Sequence, residues 1–396
     1  MKKLFTTFTL LLGIILSAQT AEKPYVLLIS FDGLRWDLPA KFQMKNLEQF
    51  GAEGVKAKFL KPSYPTKTFP NHYSIVTGLY PDHHGIVNNK FMDPATQRPF
   101  ALNIEAKFDS YFYGGNPIWN LAEKQGVKTA SFFWPGSDVN GKNPSIFKKY
   151  DGKIPYTQRV DSVVSWFKLP ENKRPHLVTL YFEEPDKTEH EQGPLSAQNQ
   201  KNMAEIDVFI GEMLQKIKAL PMADKLNIII VSDHGMTDIY DDKKVAVMDY
   251  LKPEWLGYAD IINPIMSVQA KTGYKDSIKM ALKKVPNIKY WETPNLPKRL
   301  HFGTNPRALD FVIEANPHYS LVKTKEDKVK GGTHGYDNNL SDMHAIFYAQ
   351  GPQFKQHKKF KSFENVNIYP LIAKILGLQI TEPIDGKLKN VKGLLR

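Results

Sequence analysis

Short apolar runs alternate with helical patterns along this chain. The run Tyr25–Phe31 is continuous in apolar residues except for one serine and ends at an Asp-Gly pair, which predicts a buried parallel strand followed by a turn. Similar runs recur at residues 177–182, 227–231 and 345–348. Between them, residues 199–220 carry apolar side chains at spacings of three or four, as in an amphipathic helix. This alternation predicts an α/β fold with a mainly parallel central sheet flanked by helices.

The pattern loosens from about Met236 to Gly331. This segment contains several prolines, and residues 274–285 have the pattern of a basic amphipathic helix. A chain of 396 residues is long for one domain, but α/β enzymes commonly carry insertions within one core. We therefore expect a single large domain over residues 21–396 with a smaller inserted lobe within about 240–330. The alternative, an irregular part of the same core, stays open.

The first residues are typical of an export signal. Met1-Lys2-Lys3 precedes an apolar run over residues 4–16 and then the small residues Ser17-Ala18. The run is shorter than the ~20 residues that span a bilayer, which favours cleavage over retention as a membrane anchor. We expect residues 1–20 to be a signal peptide, the mature protein to be periplasmic or secreted, and no transmembrane helix to remain after cleavage.

Composition narrows the possible chemistry. The chain has no cysteine, which excludes disulfides, thiolate metal sites and thiol nucleophiles, so any metal ion must bind nitrogen and oxygen atoms. The net charge of +12 favours anionic partners such as phosphate esters. Lysines and arginines are scattered along the chain, so specific nucleic-acid binding is not expected. Nothing in the sequence indicates the oligomeric state.

Residues that commonly bind metal ions follow the predicted strands. In open α/β sheets ligands bind beyond the carboxyl ends of the strands, so residues at these positions are candidates for ligand binding. Two of the residues are four apart, so that a helical turn places both on one face. Taken singly, each also suits a turn, a cap or a solvated helix surface. The candidates are Asp32, Asp186, His190, Asp233, His234 and His334.

Thr68 stands two residues before Pro70 in the segment Pro-Thr-Lys-Thr-Phe-Pro-Asn-His. The spacing predicts the beginning of a helix, where the hydroxyl caps free backbone amides and a proline is tolerated in the first turn. A helix N-terminus also favours an approaching anion. For a threonine considered alone, the structural role as a cap is sufficient.

Taken together, these motifs resemble a known family. They occur in order from about Tyr25 to the C-terminal region and are similar to those of nucleotide pyrophosphatase/phosphodiesterases, within the alkaline phosphatase superfamily. The resemblance implies an alkaline-phosphatase-like fold and a metal-dependent phosphodiesterase. The motifs are Phe-Asp-Gly at Asp32, Lys-Thr-Phe-Pro-Asn-His at Thr68, residues 84–90, residues 134–138, residues 184–190, Asp-His-Gly at Asp233 and Gly-Thr-His-Gly-Tyr at His334.

The resemblance also implies a role for each candidate ligand. Two ligand sets follow, with Asp186, His190 and His334 for one zinc ion, and Asp32, Asp233 and His234, together with Thr68, for the other. Three carboxylates and three imidazoles without sulfur suit two Zn²⁺ ions per chain, ahead of Mn²⁺ or Fe. Thr68 is then the nucleophile and forms a nucleotidyl-threonine intermediate.

Three further residues take implied roles in binding the substrate. Asn89 occupies the position of a phosphoryl-binding amide, although an Asn-Asn pair is also common in turns. Phe69 and Tyr150 are the implied aromatic walls around a nucleobase, and stacking of this kind tolerates any base. Tyr150 also fits an ordinary half-buried tyrosine.

Several neighbouring functions fit the sequence less well. A phosphate monoesterase of the same superfamily needs extra cations around its more highly charged substrate, whereas residues 132–136 are mainly apolar and favour a diester. A sulfatase is excluded because Thr68 and His72 stand where it needs a cysteine or serine and an arginine. A catalytically dead binding protein would have lost a ligand or the nucleophile. The natural substrate stays open among nucleotides, dinucleotides, nucleotide sugars and glycerophosphodiesters such as lipid head groups.

Overall fold

The structure is a computed structural model and describes residues 24–396, so the predicted signal peptide lies outside the described residues. The strands in chain order are β1 (Tyr25–Phe31), β2 (Val55–Ala57), β3 (Leu60–Lys61), β4 (Lys90–Asp93), β5 (Arg98–Ala101), β6 (Thr129–Phe132), β7 (Ile146–Lys148), β8 (Leu177–Phe182), β9 (Leu226–Val231), β10 (Thr237–Asp238), β11 (Lys244–Val245), β12 (Leu256–Ile262), β13 (Ile265–Ala270), β14 (Ile288–Glu292), β15 (Phe311–Ala315), β16 (Ser320–Leu321), β17 (Gly332–Thr333), β18 (Phe347–Gln350), β19 (Lys358–Phe360) and β20 (Phe363–Glu364).

The helices lie between these strands. They are α1 (Leu38–Lys41), α2 (Lys45–Glu53), α3 (Thr68–Thr77), α4 (Pro81–His84), α5 (Ile118–Lys124), α6 (Tyr156–Phe167), α7 (Asp186–Gln192), α8 (Ala197–Lys218), α9 (Lys275–Leu282) and α10 (Ile368–Ile375). Within residues 24–396, no helix has the length and apolar content needed to cross a membrane.

An eight-stranded central sheet organises the fold, in the order β19-β2-β18-β9-β1-β8-β6-β7. The block β9-β1-β8-β6-β7 is parallel throughout, which confirms the predicted α/β class. The run at residues 345–348 overlaps β18 (Phe347–Gln350) only in its last two residues, and β18 is antiparallel to β9 and β2. The chain reaches β18 directly from the loops at the carboxyl edge of the sheet, without a crossover helix, and therefore runs in the opposite direction.

Helices cover both faces of the central sheet. Successive residues of β1 point to opposite faces, so Val26 and Leu28 join one buried cluster and Leu27 and Ile29 join the other. The first cluster includes side chains of α3, α5 and α10, and the second includes side chains of α2, α6 and α8. Because both faces are buried, β1 has the continuous apolar sequence from which it was predicted.

A second sheet lies within the segment where the sequence predicts an insertion. Strands β12-β13-β15-β14 are antiparallel, and this sheet contributes to a hydrophobic cluster of its own together with α9. Residues Asn263 and Pro264 form the turn between β12 and β13. We call β12 to β15 the second sheet; its status as a separate lobe stays a prediction.

Candidate active site

Three carboxylates meet where β1, β8 and β9 end. These strands are neighbours and parallel, so the residues that follow them, Asp32, Asp186 and Asp233, emerge at one edge of the sheet. The backbone amide of Asp186 donates to the carbonyl oxygen of Asp32 at 3.0 Å. Gly33 fits between them at φ +75°, and a Cβ there would lie 2.9 Å from the Cβ of Asp186. The close approach of the two loops therefore requires glycine at this position.

The β10–β17 ladder brings the histidine loops together. Antiparallel pairing of Thr237 with Thr333 aligns the segment after β9 with the segment that carries His334. As a result, the rings of His234 and His334 stack with centroids 3.6 Å apart. A two-residue ladder between distant parts of the chain gives no periodic signal in the sequence.

The three candidate histidines share one orientation. Each ring donates a hydrogen bond from Nδ1 to a backbone carbonyl oxygen. The pairs are His190 with Gly332 at 2.9 Å, His234 with Gly235 at 2.9 Å and His334 with Thr66 at 2.7 Å. Because a carbonyl oxygen only accepts, Nδ1 carries the proton and Nε2 keeps its lone pair. Metal-binding histidines are oriented in this way by their outer hydrogen bonds.

The set Asp32, Asp233 and His234 converges on one point. One ligand atom from each lies within 4.8 Å of the other two. His234 Nε2 is 3.0 Å from Asp233 Oδ2 and 3.4 Å from Asp32 Oδ1. Thr68 Oγ1 lies 3.3 Å from the same nitrogen. The four residues that the sequence assigns to one ion are therefore neighbours.

The other set is more open. Asp186 Oδ1 lies 3.5 Å from His190 Nε2 and 3.7 Å from His334 Nε2. The tight group around Asp186 contains His334 and His234, whereas His190 stands at its rim with a side chain that is 40% exposed. The structure thus brings all six candidate ligands into one site, with His190 on the solvent side.

Three buried carboxylate oxygens without partners in the described part of the chain indicate that cations fit this site. Asp32 Oδ1, Asp186 Oδ1 and Asp233 Oδ2 are buried and have no hydrogen-bond partner among the described residues. An unpaired buried acceptor costs about 1–3 kcal/mol, more when it is charged. Burial, followed by the charges of Asp233 and Asp186, raises the pKa of Asp32 well above its usual value. Divalent cations would satisfy these oxygens and offset the mutual repulsion, and the mixed carboxylate and imidazole donors suit zinc.

Two residues that the sequence analysis did not single out support the ligands. Tyr181 donates from its hydroxyl to Asp32 Oδ2 at 2.6 Å. His72 Nδ1 donates to the carbonyl oxygen of Thr68 at 3.0 Å and lies 3.3 Å from Asp233 Oδ2. Burial raises the pKa of Asp233, but the imidazoles of His234 and His72 outweigh it and hold this pKa well below its usual value. A tyrosine hydroxyl inside the apolar run 177–182 was the available signal for Tyr181.

Thr68 is the first residue of α3 and does not cap it. The capping position is Lys67, without a side-chain cap, so the predicted capping role of Thr68 is wrong. The nearby free amide of Phe69 donates instead to Asn89 Oδ1 at 3.0 Å. Because an amide from another loop serves the backbone, the Thr68 hydroxyl is left to face His234.

Lys67 is a further residue that sequence reasoning missed. It is 4% exposed, and its Nζ donates to the carbonyl oxygen of Asn263 in the turn of the second sheet at 2.6 Å. Burial lowers the pKa of Lys67 to about 7, against the opposing effect of Asp186. Gly335 makes room for this contact, since a Cβ there would lie 2.6 Å from Lys67 Cε.

A cavity of about 420 Å³ opens onto Thr68 and the ligands. Both predicted aromatic walls, Phe69 and Tyr150, line it, as does Asn89. Its other apolar lining residues are Leu102, Phe133, Trp134 and Pro135, and its polar lining includes Lys107, Asp138, Glu183 and Lys187. The site therefore joins a cation-binding edge to a largely apolar recess.

Comparison with known proteins shows which sequences share this arrangement. The family model described as type I phosphodiesterase / nucleotide pyrophosphatase matches residues 26–337. The chain is 38% identical over 397 residues to ectonucleotide pyrophosphatase/phosphodiesterase family member 1 of Mus musculus, covering 95% of this chain and 43% of that protein. It is 36% identical to venom phosphodiesterase 2 of Crotalus adamanteus, covering 95% of this chain and 48% of that one. The chain thus spans less than half the length of these relatives.

Solved structures share the fold over almost the whole chain. An inactive threonine-to-alanine variant of murine ectonucleotide pyrophosphatase / phosphodiesterase 5, in complex with AMP, superposes with a TM-score of 0.90 at 31% identity. The match covers 94% of this chain and 100% of that one. The human form of the same protein gives a TM-score of 0.90 at 32% identity.

Proposed function

Because the chain belongs to the type I phosphodiesterase / nucleotide pyrophosphatase family, we propose that it is an exported two-zinc hydrolase that cleaves phosphodiester or phosphoanhydride bonds of nucleotides. The observation that carries the proposal is the shared orientation of the three histidines, whose Nε2 atoms face unpartnered carboxylate oxygens beside Thr68. Asp186, His190 and His334 would hold one ion, and Asp32, Asp233, His234 and Thr68 the other.

Thr68 is the proposed nucleophile. When bound, paired zinc ions favour the alkoxide form of a hydroxyl and stabilise charge on the attacking and leaving oxygens of an in-line displacement. Thr68 loses its proton to solvent, Oγ1 forms a bond to phosphorus, and the bond from phosphorus to the leaving oxygen breaks, so that this oxygen departs with the electron pair. Water then attacks the nucleotidyl-threonine from the opposite side, which breaks the Oγ1–P bond and frees Thr68. Asn89 donates from its side-chain amide to a non-bridging phosphoryl oxygen.

The cavity favours a nucleotide as the transferred group. Phe69 and Tyr150 both line the recess, and base stacking on aromatic side chains contributes about 1–3 kcal/mol per base. The structural neighbour described as a complex with AMP has the same fold. A nucleoside monophosphate bonded to Thr68 is therefore the proposed covalent intermediate of this site.

A second cleft bears on the leaving group. It has a volume of about 630 Å³, includes His190 in its lining and carries Lys323, Lys328 and Lys330 with Asp327 as the acidic residue. The set Asp186, His190 and His334 is the proposed leaving-group side, because His190 also lines this cleft. Lys328 pairs with Asp241 at 3.4 Å, which still leaves an excess of cations. Such an excess suits an anionic leaving group such as pyrophosphate, whereas a choline head group would be repelled. This supports nucleotides over glycerophosphodiesters with a cationic head group.

Kinetics on three substrates would test the proposal. We expect kcat/KM for a nucleoside triphosphate to exceed that for glycerophosphocholine and for p-nitrophenyl phosphate by at least about tenfold each, a difference of 1.4 kcal/mol in transition-state binding. Preference for glycerophosphocholine would identify a head-group phosphodiesterase. Preference for p-nitrophenyl phosphate would identify a monoesterase of the same superfamily.

A further inference from the structure

A fully buried arginine lies behind the cavity. Arg159 on α6 has no solvent exposure, and its Nε donates to the carbonyl oxygen of Ile154 at 3.0 Å. Its Nη1 and Nη2 donate to Glu183 Oε2 and Oε1 at 2.8 and 2.9 Å. Nη1 also donates to the carbonyl oxygen of Tyr181 at 3.1 Å. The guanidinium group is thus held in one plane by four acceptor contacts.

Aromatic rings enclose the same guanidinium group. Its central carbon lies 4.7 Å from the ring centroid of Tyr156, 4.9 Å from that of Phe133 and 5.9 Å from that of Phe182. Phe133 is itself a lining residue of the cavity. A planar, weakly hydrated cation suits this environment, whereas a lysine ammonium could reproduce neither the stacking nor the two-point contact with Glu183.

Glu183 connects Arg159 to Tyr150 through one shared carboxylate oxygen. The Tyr150 hydroxyl donates to Glu183 Oε1 at 2.8 Å, the same oxygen that accepts from Arg159. Burial, followed by the charge of Glu183, raises the pKa of Tyr150, so the hydroxyl keeps the proton that it donates. Tyr150 is 47% exposed and contacts Phe133 with ring centroids 5.3 Å apart. A side chain this exposed needs such a tether to keep one orientation.

We propose that Arg159 is a positioning residue that, through Glu183, fixes the ring of Tyr150 in the cavity wall and so determines affinity for the nucleobase of the substrate. This inference rests on the proposed function and adds to it a specificity determinant outside the cavity. A ring held in the binding orientation before the substrate arrives loses less conformational freedom on binding. The effect therefore falls on substrates that carry a base and spares those that lack one.

Four variants test this. Tyr150→Phe keeps the ring and removes the tether, Arg159→Lys keeps the charge and removes the two-point contact, and the double variant combines them. The matched control is Arg174→Lys, because Arg174 also donates to a backbone carbonyl, that of Leu169, and packs on Tyr25, but precedes the amino end of β8. The six residues of β8 separate that end from the cavity by about 20 Å.

The measurement is kcat and KM for the p-nitrophenyl ester of thymidine 5′-monophosphate and for p-nitrophenyl methyl phosphate, which has the same leaving group but neither a base nor a second ring. In each single variant we expect KM for the nucleotide ester to rise about 5- to 10-fold while kcat changes less than about twofold, since part of a base-stacking contribution is lost. In the double variant KM for the nucleotide ester should rise no further than in the single variants, because both changes interrupt the same chain of contacts, Arg159–Glu183–Tyr150. In the same variants, KM for p-nitrophenyl methyl phosphate should change less than about twofold, because a methyl group makes no stacking contact. Both activities of Arg174→Lys should stay unchanged.

Equal losses on both substrates, additive effects in the double variant, or an unchanged KM in Tyr150→Phe would each overturn the inference. Tyr150→Phe alters an exposed hydroxyl and keeps the test valid if Arg159→Lys fails to fold. Calorimetric titration of AMP into the same variants, each combined with Thr68→Ala, measures base affinity without turnover. If the wild type hydrolyses neither ester, the proposed function fails, whereas the order of AMP affinities still decides the role of Arg159.

Discussion

The side-chain oxygen of Asn89 accepts a hydrogen bond from the backbone amide of Phe69 at 3.0 Å. This contact determines how the Asn89 amide is oriented, because its oxygen is engaged and its Nδ2 is the donor left for the cavity that Asn89 lines. One residue thereby orders the helix that begins at Thr68 and presents a donor to the proposed phosphoryl group.

Replacing Asn89 with Asp should separate these two roles. The carboxylate can still accept from Phe69 but cannot donate, so we expect kcat/KM for bis(p-nitrophenyl) phosphate to fall about 10²–10³-fold with little change in melting temperature. Asn89→Ala loses both contacts and should cost about 1 kcal/mol of stability as well. An Asp variant with near wild-type activity would show that Asn89 serves the turn alone.

Thr68→Ala should abolish turnover and spare the fold. Thr68 makes no cap hydrogen bond to α3, so removing its hydroxyl leaves the helix intact, whereas diesterase activity should fall by several orders of magnitude. Thr68→Ser keeps a hydroxyl and should retain measurable activity. The readouts are turnover of bis(p-nitrophenyl) phosphate and the melting temperature. Near-normal turnover in Thr68→Ala would mean that water attacks phosphorus directly.

A chiral phosphorothioate diester should react with net retention of configuration at phosphorus. Two successive in-line displacements, the first by Thr68 and the second by water, each invert the centre. Phosphorus NMR of the product formed in isotopically labelled water distinguishes the outcomes. Net inversion would exclude the nucleotidyl-threonine intermediate even if the Thr68 variants lose activity.

Metal analysis of the purified protein should find two zinc ions per chain. Removing them with a chelator should lower the melting temperature as well as the activity, because Asp32, Asp186 and Asp233 are then left with buried oxygens that have no partner among the described residues. Zinc should restore both properties. An active preparation with one ion or none would contradict the assignment of six ligands to two sites.

Glu314 should make stability depend on pH. It is 1% exposed on β15, its Oε1 accepts from the backbone amide of Asp337 at 3.2 Å, and its Oε2 has no hydrogen bond among the described residues. Burial, followed by the charge of Asp337, raises the pKa of Glu314 from 4.5 to about 7. Between these values the folded chain keeps a proton that the unfolded chain releases. Stability from this group is therefore full below the lower pKa and falls as pH rises towards 7.

Replacing Glu314 with Gln should remove that dependence. The difference in free energy of unfolding, variant minus wild type, should rise by about 2 to 3 kcal/mol from pH 4.5 to pH 8. This is the linkage value of a pKa shift of this size. Glu326→Gln on the exposed loop is the control and should leave the pH profile unchanged. Denaturant unfolding at pH 4.5, 6 and 8 measures the difference. Parallel profiles for Glu314→Gln and wild type would show that folding does not raise the pKa of Glu314.

Export predicts a shortened chain. Under native expression the mature protein should begin near residues 19 to 22 and lie outside the cytoplasm, because residues 1–18 have the pattern of a signal peptide. N-terminal sequencing of the purified protein measures this. Full-length protein accumulating in the cytoplasm would contradict the prediction.

The features best predicted from the sequence are the strands that are buried on both faces. Strands β1 and β8 were predicted at the bounds that the structure shows, because a strand covered on both faces has an uninterrupted apolar run. Asp32 was found by the rule that ligands gather at strand ends. Arg159 could not be found in this way, since a charged residue in an amphipathic helix has the same pattern whether it faces water or, as here, a partly buried carboxylate.

The pairing of segments that are distant along the chain also could not be predicted from the sequence. The position of His334 depends on the short ladder between β10 and β17. The direction of β18 depends on where the chain leaves the loops at the carboxyl edge of the central sheet. Neither feature has a periodic signal. The tether between Tyr150 and Glu183 joins residues 33 positions apart and follows from the fold alone.

The hydrogen bond from Lys67 to the carbonyl oxygen of Asn263 limits how this protein can be re-engineered. Its acceptor belongs to the hairpin turn of the second sheet, and its donor is the residue before Thr68. Excising the second sheet, or grafting a hairpin of different length from a homologue, would leave the buried Nζ of Lys67 without this acceptor, in the residue that precedes Thr68. Chimeras that change the substrate range of this fold should therefore keep the Asn263-Pro264 turn together with Gly335 and exchange only the strands beyond it.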